Sequence, residues 1–239
     1  MIRFRPLFAP TVWFLPALAL LIGLGVWQVQ RLHWKEDLIQ RVQARMHAPA
    51  VPLDVALARG LDDAEWRRVT VHGHFLYDRE VHIFATGPRG EAGVQVVVPF
   101  ALANDGVILV NRGFAPNVRR NPATRAAGQV KGEVTVTGVV RLSQVPNWFT
   151  PQPEAKARLW FSRTAESMAA AMGVTLTAPI FVEADATPNP GGYPMGGQTV
   201  VDFPNNHLSY AITWFALALA LTGVYLVYHA RQGRLRFEK

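Results

Sequence analysis

Three groups of side chains in this sequence have types and spacings that chemistry can use. His207 opens a run, Leu208 to Tyr228, that contains no charged residue. On a helix His207, Tyr210, Ala211 and Trp214 fall on one side, because positions three, four and seven apart share a face. Neutral imidazole is a normal axial ligand for haem iron. Tyr210 and Trp214, with Trp27 at the matching depth of an earlier apolar run, would flank a flat apolar ring, although the same aromatics serve equally as interfacial anchors. His72, His74 and His82 form the second group. Residues two apart on a strand share a face, and a hairpin partner would place the third beside them, giving three imidazoles of the kind that hold zinc or copper. A solvent face that happens to carry histidine reads the same way. The third group is Asn111-Arg112-Gly113-Phe114-Ala115-Pro116, behind the apolar Val107-Ile108-Leu109-Val110. It reads as a strand end with a glycine turn and an arginine reaching solvent, or as a fixed guanidinium that pairs bidentately with a carboxylate or propionate.

The elements that must position these residues follow from the apolar pattern. At ~1.5 Å per residue, the run from Leu208 to Tyr228 is long enough to cross a hydrocarbon layer ~30 Å thick. Asn206 stands where its side chain would cap that helix. A second charge-free run covers Pro6 to Gln30, and Val12 to Trp27 is almost wholly apolar. No small-x-small site follows it, so it reads as an uncleaved anchor, and its short basic leader favours a bacterial inner membrane over a mitochondrial address. Beyond Trp27 the helical spacing continues, with Leu32, Lys35, Leu38, Ile39, Val42 and Met46 on one side, until Pro49 and Pro52 end it. From Trp66 the period becomes alternating. Arg68–Phe75 and Glu80–Ala85 read as a β-hairpin, with further strands at Gly93–Leu102, Val107–Asn111, Glu133–Leu142 and Pro179–Glu183. Asn104-Asp105-Gly106 supplies a hairpin turn, and Thr164 to Met172 reads as a short helix ended by Gly173.

The expected architecture is therefore an α+β membrane protein, with two transmembrane helices flanking a mostly antiparallel, barrel-like periplasmic β domain that contains a short helix. Its expected parts are a cytoplasmic tail at 1–9, a first span at 10–28, an amphipathic extension at 29–48, the periplasmic domain at 49–205, a second span at 206–228 and a basic cytoplasmic tail at 229–239. Charge supports this orientation. The two tails carry +2 and +3 of the net +7, and the rest holds 18 basic against 16 acidic residues. The positive-inside tendency places both tails in the cytoplasm, and a near-neutral middle argues against nucleic acid as a partner. The absence of cysteine excludes thiol catalysis, thiolate metal sites and covalent haem attachment through cysteine. There is no Gly-rich phosphate loop, Gly-x-Ser-x-Gly or His-Glu-x-x-His, so no enzyme signature is present.

Three motifs in order carry a family resemblance: Leu24-Gly25-Val26-Trp27-Gln28-Val29-Gln30-Arg31-Leu32-His33-Trp34-Lys35, Val110 to Pro116, and Asn206-His207-Leu208-Ser209-Tyr210-Ala211-Ile212-Thr213-Trp214-Phe215. With the two-span layout they resemble the surfeit-locus (Surf/Shy-type) cytochrome c oxidase assembly proteins over nearly the whole chain. Gly73-His74-Phe75 matches a Gly-x-Phe strand end of that family, and Phe114 stands where members often have tryptophan. The resemblance implies a non-catalytic factor that helps mature the oxidase subunit carrying haem a, with the catalytic subunit of a haem-copper oxidase, membrane lipid and a haem a synthase as partners. It places His207 at the family's proposed haem ligand, with Trp27, Tyr210 and Trp214 lining the ring and Arg31 or Arg112 neutralising a propionate. The haem a would be held non-covalently and handed on. A chaperone that docks on an oxidase subunit without touching haem, and a tethered periplasmic metal carrier using His72, His74 and His82, are the rival expectations.

Overall fold

The charge-free runs become the two longest helices, and the alternating segments become one sheet. The computed structural model describes residues 2–199 and 203–237; Glu238 and Lys239 of the basic tail lie outside them. In chain order the elements are β1 (Ile2–Phe4), α1 (Phe8–His47), β2 (Val51–Pro52), α2 (Leu53–Leu57), α3 (Leu61–Ala64), β3 (Arg68–Phe75), β4 (Val81–Thr86), β5 (Ala92–Leu102), β6 (Val107–Pro116), β7 (Val134–Leu142), β8 (Leu159–Trp160), α4 (Ala165–Met172), β9 (Ile180–Ala184), α5 (His207–Arg231) and β10 (Leu235–Phe237). They group into two units, residues 1–41 with 202–239, and residues 42–201.

The first unit is a helical hairpin. Both α1 and α5 contain stretches long and apolar enough to cross a membrane. Antiparallel pairing follows from the contacts along them. Gln28 meets His207, Gly25 lies against the Phe215 ring, and Phe14 stacks on Tyr225 with centroids 3.9 Å apart. The Thr11 and Tyr225 hydroxyls are 2.6 Å apart. In hydrocarbon no water competes for such groups, so polar side chains between spans find each other. At the other end the tails pair as antiparallel strands, Ile2 opposite Phe237 and Phe4 opposite Leu235, which puts both tails at the same end of the hairpin.

The second unit is built on an eight-stranded sheet ordered β2-β3-β7-β9-β6-β5-β4-β8, with β3 also pairing β5. Antiparallel ladders predominate, as expected; β2–β3, β4–β8 and β6–β9 are parallel. The inward residues of β3, β5, β6, β7 and β9, including Val71, Phe100, Ile108, Val140 and Val182, make one apolar core. A second core, with Val81, Leu109, Trp160 and Phe181, is covered by Met168 and Met172 of α4. Each such side chain is worth roughly 1.5–3 kcal/mol when fully buried. The Asn104-Asp105-Gly106 turn forms as expected between β5 and β6, with Asp105 and Gly106 both at positive φ.

Two local expectations are corrected. β3 and β4 do not form a hairpin, because each has another partner: β3 pairs β7 and then, through Gly73–Phe75, the far end of β5, whereas β4 pairs β5 over Ala92–Val97. Gly73 permits the switch, since a Cβ there would collide with the Ala101 carbonyl. Nor does Asn206 cap α5 with its side chain. Its backbone sits at ψ 7° rather than in the extended region that capping requires. Thr164 likewise makes no side-chain cap on α4; the Ala165 N–H donates instead to Ser143 Oγ at 3.0 Å.

Candidate functional site

Begin at the first residue of α5. Gln28 of α1 is buried, and its Oε1 lies 2.7 Å from His207 Nδ1. An amide oxygen only accepts, so Nδ1 carries the proton and donates. That tautomer leaves His207 Nε2 with a lone pair and without a bond among the described residues. A ligating histidine has this arrangement, its second nitrogen anchored so that ring direction and basicity are fixed. Trp214, half-buried on the same face, and Asn205 each keep a buried polar atom, Nε1 and Oδ1, without a partner among the described residues.

The other expected members of the group behave differently. Ala211 is the buried neighbour of His207, and Tyr210 projects outward at 55% exposure, because the inward stripe of α5 runs through His207, Ala211, Trp214 and Ala218. Trp27 is exposed next to Gln28. Arg31 is exposed and its guanidinium lies 4.1 Å above the Trp34 ring. Tyr210, Trp27 and Arg31 are thus all exposed. Gln28 is the residue that sequence reasoning missed as a participant; its one signal was an uncharged polar side chain at the depth of His207.

Arg112 belongs to the second unit, and it does not end a strand or reach solvent. β6 runs on through Asn111 to Pro116. Gly113, at φ 108°, leaves space that a Cβ would fill with the Met195 carbonyl, so the Met195 segment pairs with Phe114 at 2.9 and 2.8 Å. Beneath this crossing Arg112 is 3% exposed. Its Nη2 donates to Gly128 O at 2.7 Å and Asn189 Oδ1 at 2.5 Å, and its guanidinium faces the Phe75 and Tyr77 rings at 4.8 and 5.3 Å. Burial lowers its pKa, opposed by Tyr77, whose phenol burial raises.

The three histidines are not a metal site. His74 pairs Ala101 of β5 and His82 pairs Val96. Five residues of strand separate those partners, about 17 Å at ~3.4 Å per residue. His72 and His74 are exposed, and His72 Nδ1 is 2.8 Å from the Thr135 hydroxyl. His82 is buried with Glu80 and Arg125. Glu80 accepts from both Arg125 terminal nitrogens and lies 2.8 Å from His82 Nε2. Burial opposes ionisation of Glu80, but these bonds outweigh it and hold its carboxyl below the ordinary 4.5. Among the described residues no three His, Asp or Glu side chains are grouped to hold a metal.

Two helices long and apolar enough to cross a membrane, joined to a unit built on an eight-stranded sheet, set the class of fold to which this chain belongs. The SURF1 family profile matches residues 15–219, and the chain belongs to that family. It is 41% identical over 225 residues to Surfeit locus protein 1 of Rattus norvegicus, covering 87% of this chain and 71% of the relative. Surfeit locus protein 1 of Takifugu rubripes is 37% identical over 225 residues, covering 87% and 92%. The Homo sapiens protein of that name is 39% identical over 214 residues, covering 83% and 70%.

Proposed function

We propose that this chain is a non-catalytic assembly factor for a haem-copper terminal oxidase, cytochrome c oxidase, which holds haem a as cargo and hands it to the catalytic subunit. The observation that carries the reading is the Gln28–His207 contact at 2.7 Å, which leaves Nε2 without a bond, among the described residues, at the start of a membrane-compatible helix. Gln28 orients the imidazole, His207 supplies the axial nitrogen, Trp27, Tyr210 and Trp214 offer aromatic surface to the ring, and the exposed Arg31 takes a propionate. With no cysteine the cargo is held without a covalent bond and is releasable.

Both tails lie in the cytoplasm of a bacterial inner membrane and the sheet unit lies in the periplasm. The basic tails support that orientation. The unit closes as a small barrel, a reading supported by the β3–β5 ladder that returns the sheet to its first long strand. Lipid, the oxidase catalytic subunit and a haem a synthase are the partners. A structural chaperone that never touches haem is the second reading, favoured only by the aromatic residues' equal fitness as interfacial anchors.

The test is an absorption spectrum of the full chain purified from cells with and without haem a synthesis. A haem a spectrum in the first preparation, absent from the second and from His207→Ala, is expected. Undiminished haem in His207→Ala removes the assignment of the ligand, and a colourless wild-type protein leaves the chaperone.

A further inference from the structure

Two arginines of the sheet unit are buried almost equally, Arg125 at 5% and Arg112 at 3% exposure, and among the described residues only Arg125 is ion-paired. Arg125 is forked onto the Glu80 carboxylate. Arg112 has a carbonyl and an amide oxygen on Nη2, while Nη1 is buried with no partner, and among the described residues no carboxylate pairs with it. A buried cation left unpaired is expensive. The fold nonetheless fixes this one, with the Phe75 and Tyr77 rings together on one side of the guanidinium and Gly128 and Asn189 on Nη2.

Arg112 also lines a cavity of about 210 Å³, with Phe75, Thr135, Thr137, Thr187 and Asn189 among its walls. That is many times the space one water needs, and enough for a planar acid on a short chain. Asp185 is on the same wall, but its carboxylate is already engaged by Arg68 at 3.2 Å and by the Thr187 hydroxyl at 2.6 Å. One unpaired cation beside a neutralised carboxylate matches a single negative charge, and a dianion such as phosphate would leave charge uncompensated. We propose that this cavity is a receptor for one carboxylate group on a short chain, bound to Arg112, from a free acid or the acidic end of a polypeptide.

The test uses the full chain in detergent and chloride-free buffer, titrated by calorimetry with propionate and, separately, with a short N-acetylated peptide whose one acidic group is its terminal carboxylate. Saturable binding of either is expected, weakened at least about tenfold in Arg112→Lys, which keeps the charge and loses the fixed planar donors of Nη1. Thr137→Leu fills the cavity without touching the arginine, and the same loss is expected there should Arg112→Lys fail to fold. Binding of both probes identifies a free acid as sufficient, and binding of the peptide alone identifies an acidic chain end. The proposal falls if wild type binds neither probe, if Thr137→Leu or a folded Arg112→Lys binds undiminished, or if chloride binds as tightly as propionate.

Discussion

Helix α5 carries a histidine near each end, and the two are finished differently. His229 is fully buried; its Nδ1 donates to Tyr225 O at 2.8 Å, and its Nε2 accepts from the Leu7 N–H at 3.0 Å. Both nitrogens are spent on closing the tail end of the hairpin, and the Tyr225 ring lies 4.2 Å away. His207 spends one nitrogen on Gln28 and keeps the other. The same contrast recurs in the sheet unit between Arg125, closed on Glu80, and Arg112, left with an open edge. Residue type alone does not distinguish a structural polar group from a receptive one. The number of hydrogen-bonding positions left over after folding does.

The largest effect should come from exchanging the roles of the two histidines. His207→Ala should abolish haem retention, and the buried Gln28 Oε1 that it leaves unpaired should lower the stability of the hairpin by no more than about 1–3 kcal/mol. His229→Ala should do the reverse: the orphaned Leu7 N–H costs about 1–3 kcal/mol, read as a lower melting temperature, with haem content per folded protein unchanged. Loss of haem in both variants would erase the distinction. Next in size is the arginine pair. Glu80→Ala strands Arg125 and should destabilise the sheet unit by about 3–5 kcal/mol, measured by urea unfolding followed through the buried Trp160. Smaller again is Gln28→Leu, which frees the His207 ring to turn and should weaken haem binding roughly 10–100-fold without abolishing it.

Those predictions rest on groups of unequal visibility in the sequence. Charge-free runs of helix length identify α1 and α5, and alternation identifies β5, β7 and β9 almost to the residue, since both patterns are local. His207 stands out for the same reason, as a polar residue opening an apolar run. Its partner Gln28 is 179 residues away, and Arg125 is 45 from Glu80, so no local pattern joins either pair. Asn111-Arg112-Gly113 has turn composition but lies within a strand, because the Met195 segment uses the space that Gly113 leaves open. The supposed β3–β4 hairpin fails similarly, as strand pairing is decided by which edge is free after β5 and β7 are placed.

The gentlest test of the closed pair is acid. Glu80 has a folded pKa below its ordinary 4.5. Above 4.5 the carboxyl is ionised in both folded and unfolded chains, so the stabilisation by Arg125 and His82 is fully present. As pH falls below 4.5 the unfolded chain takes up a proton that the folded chain refuses, and stability declines until the pH passes the folded value. Asp185, held below its ordinary 3.8 against the effect of burial by Thr187 and Arg68, adds a weaker dependence of the same sign at lower pH. Urea midpoints of the full chain should therefore fall between pH 5 and pH 3, with a shallower slope in Glu80→Gln. An unchanged slope would mean that Glu80 does not hold Arg125 by charge, and the contrast with Arg112 would then rest on shape alone.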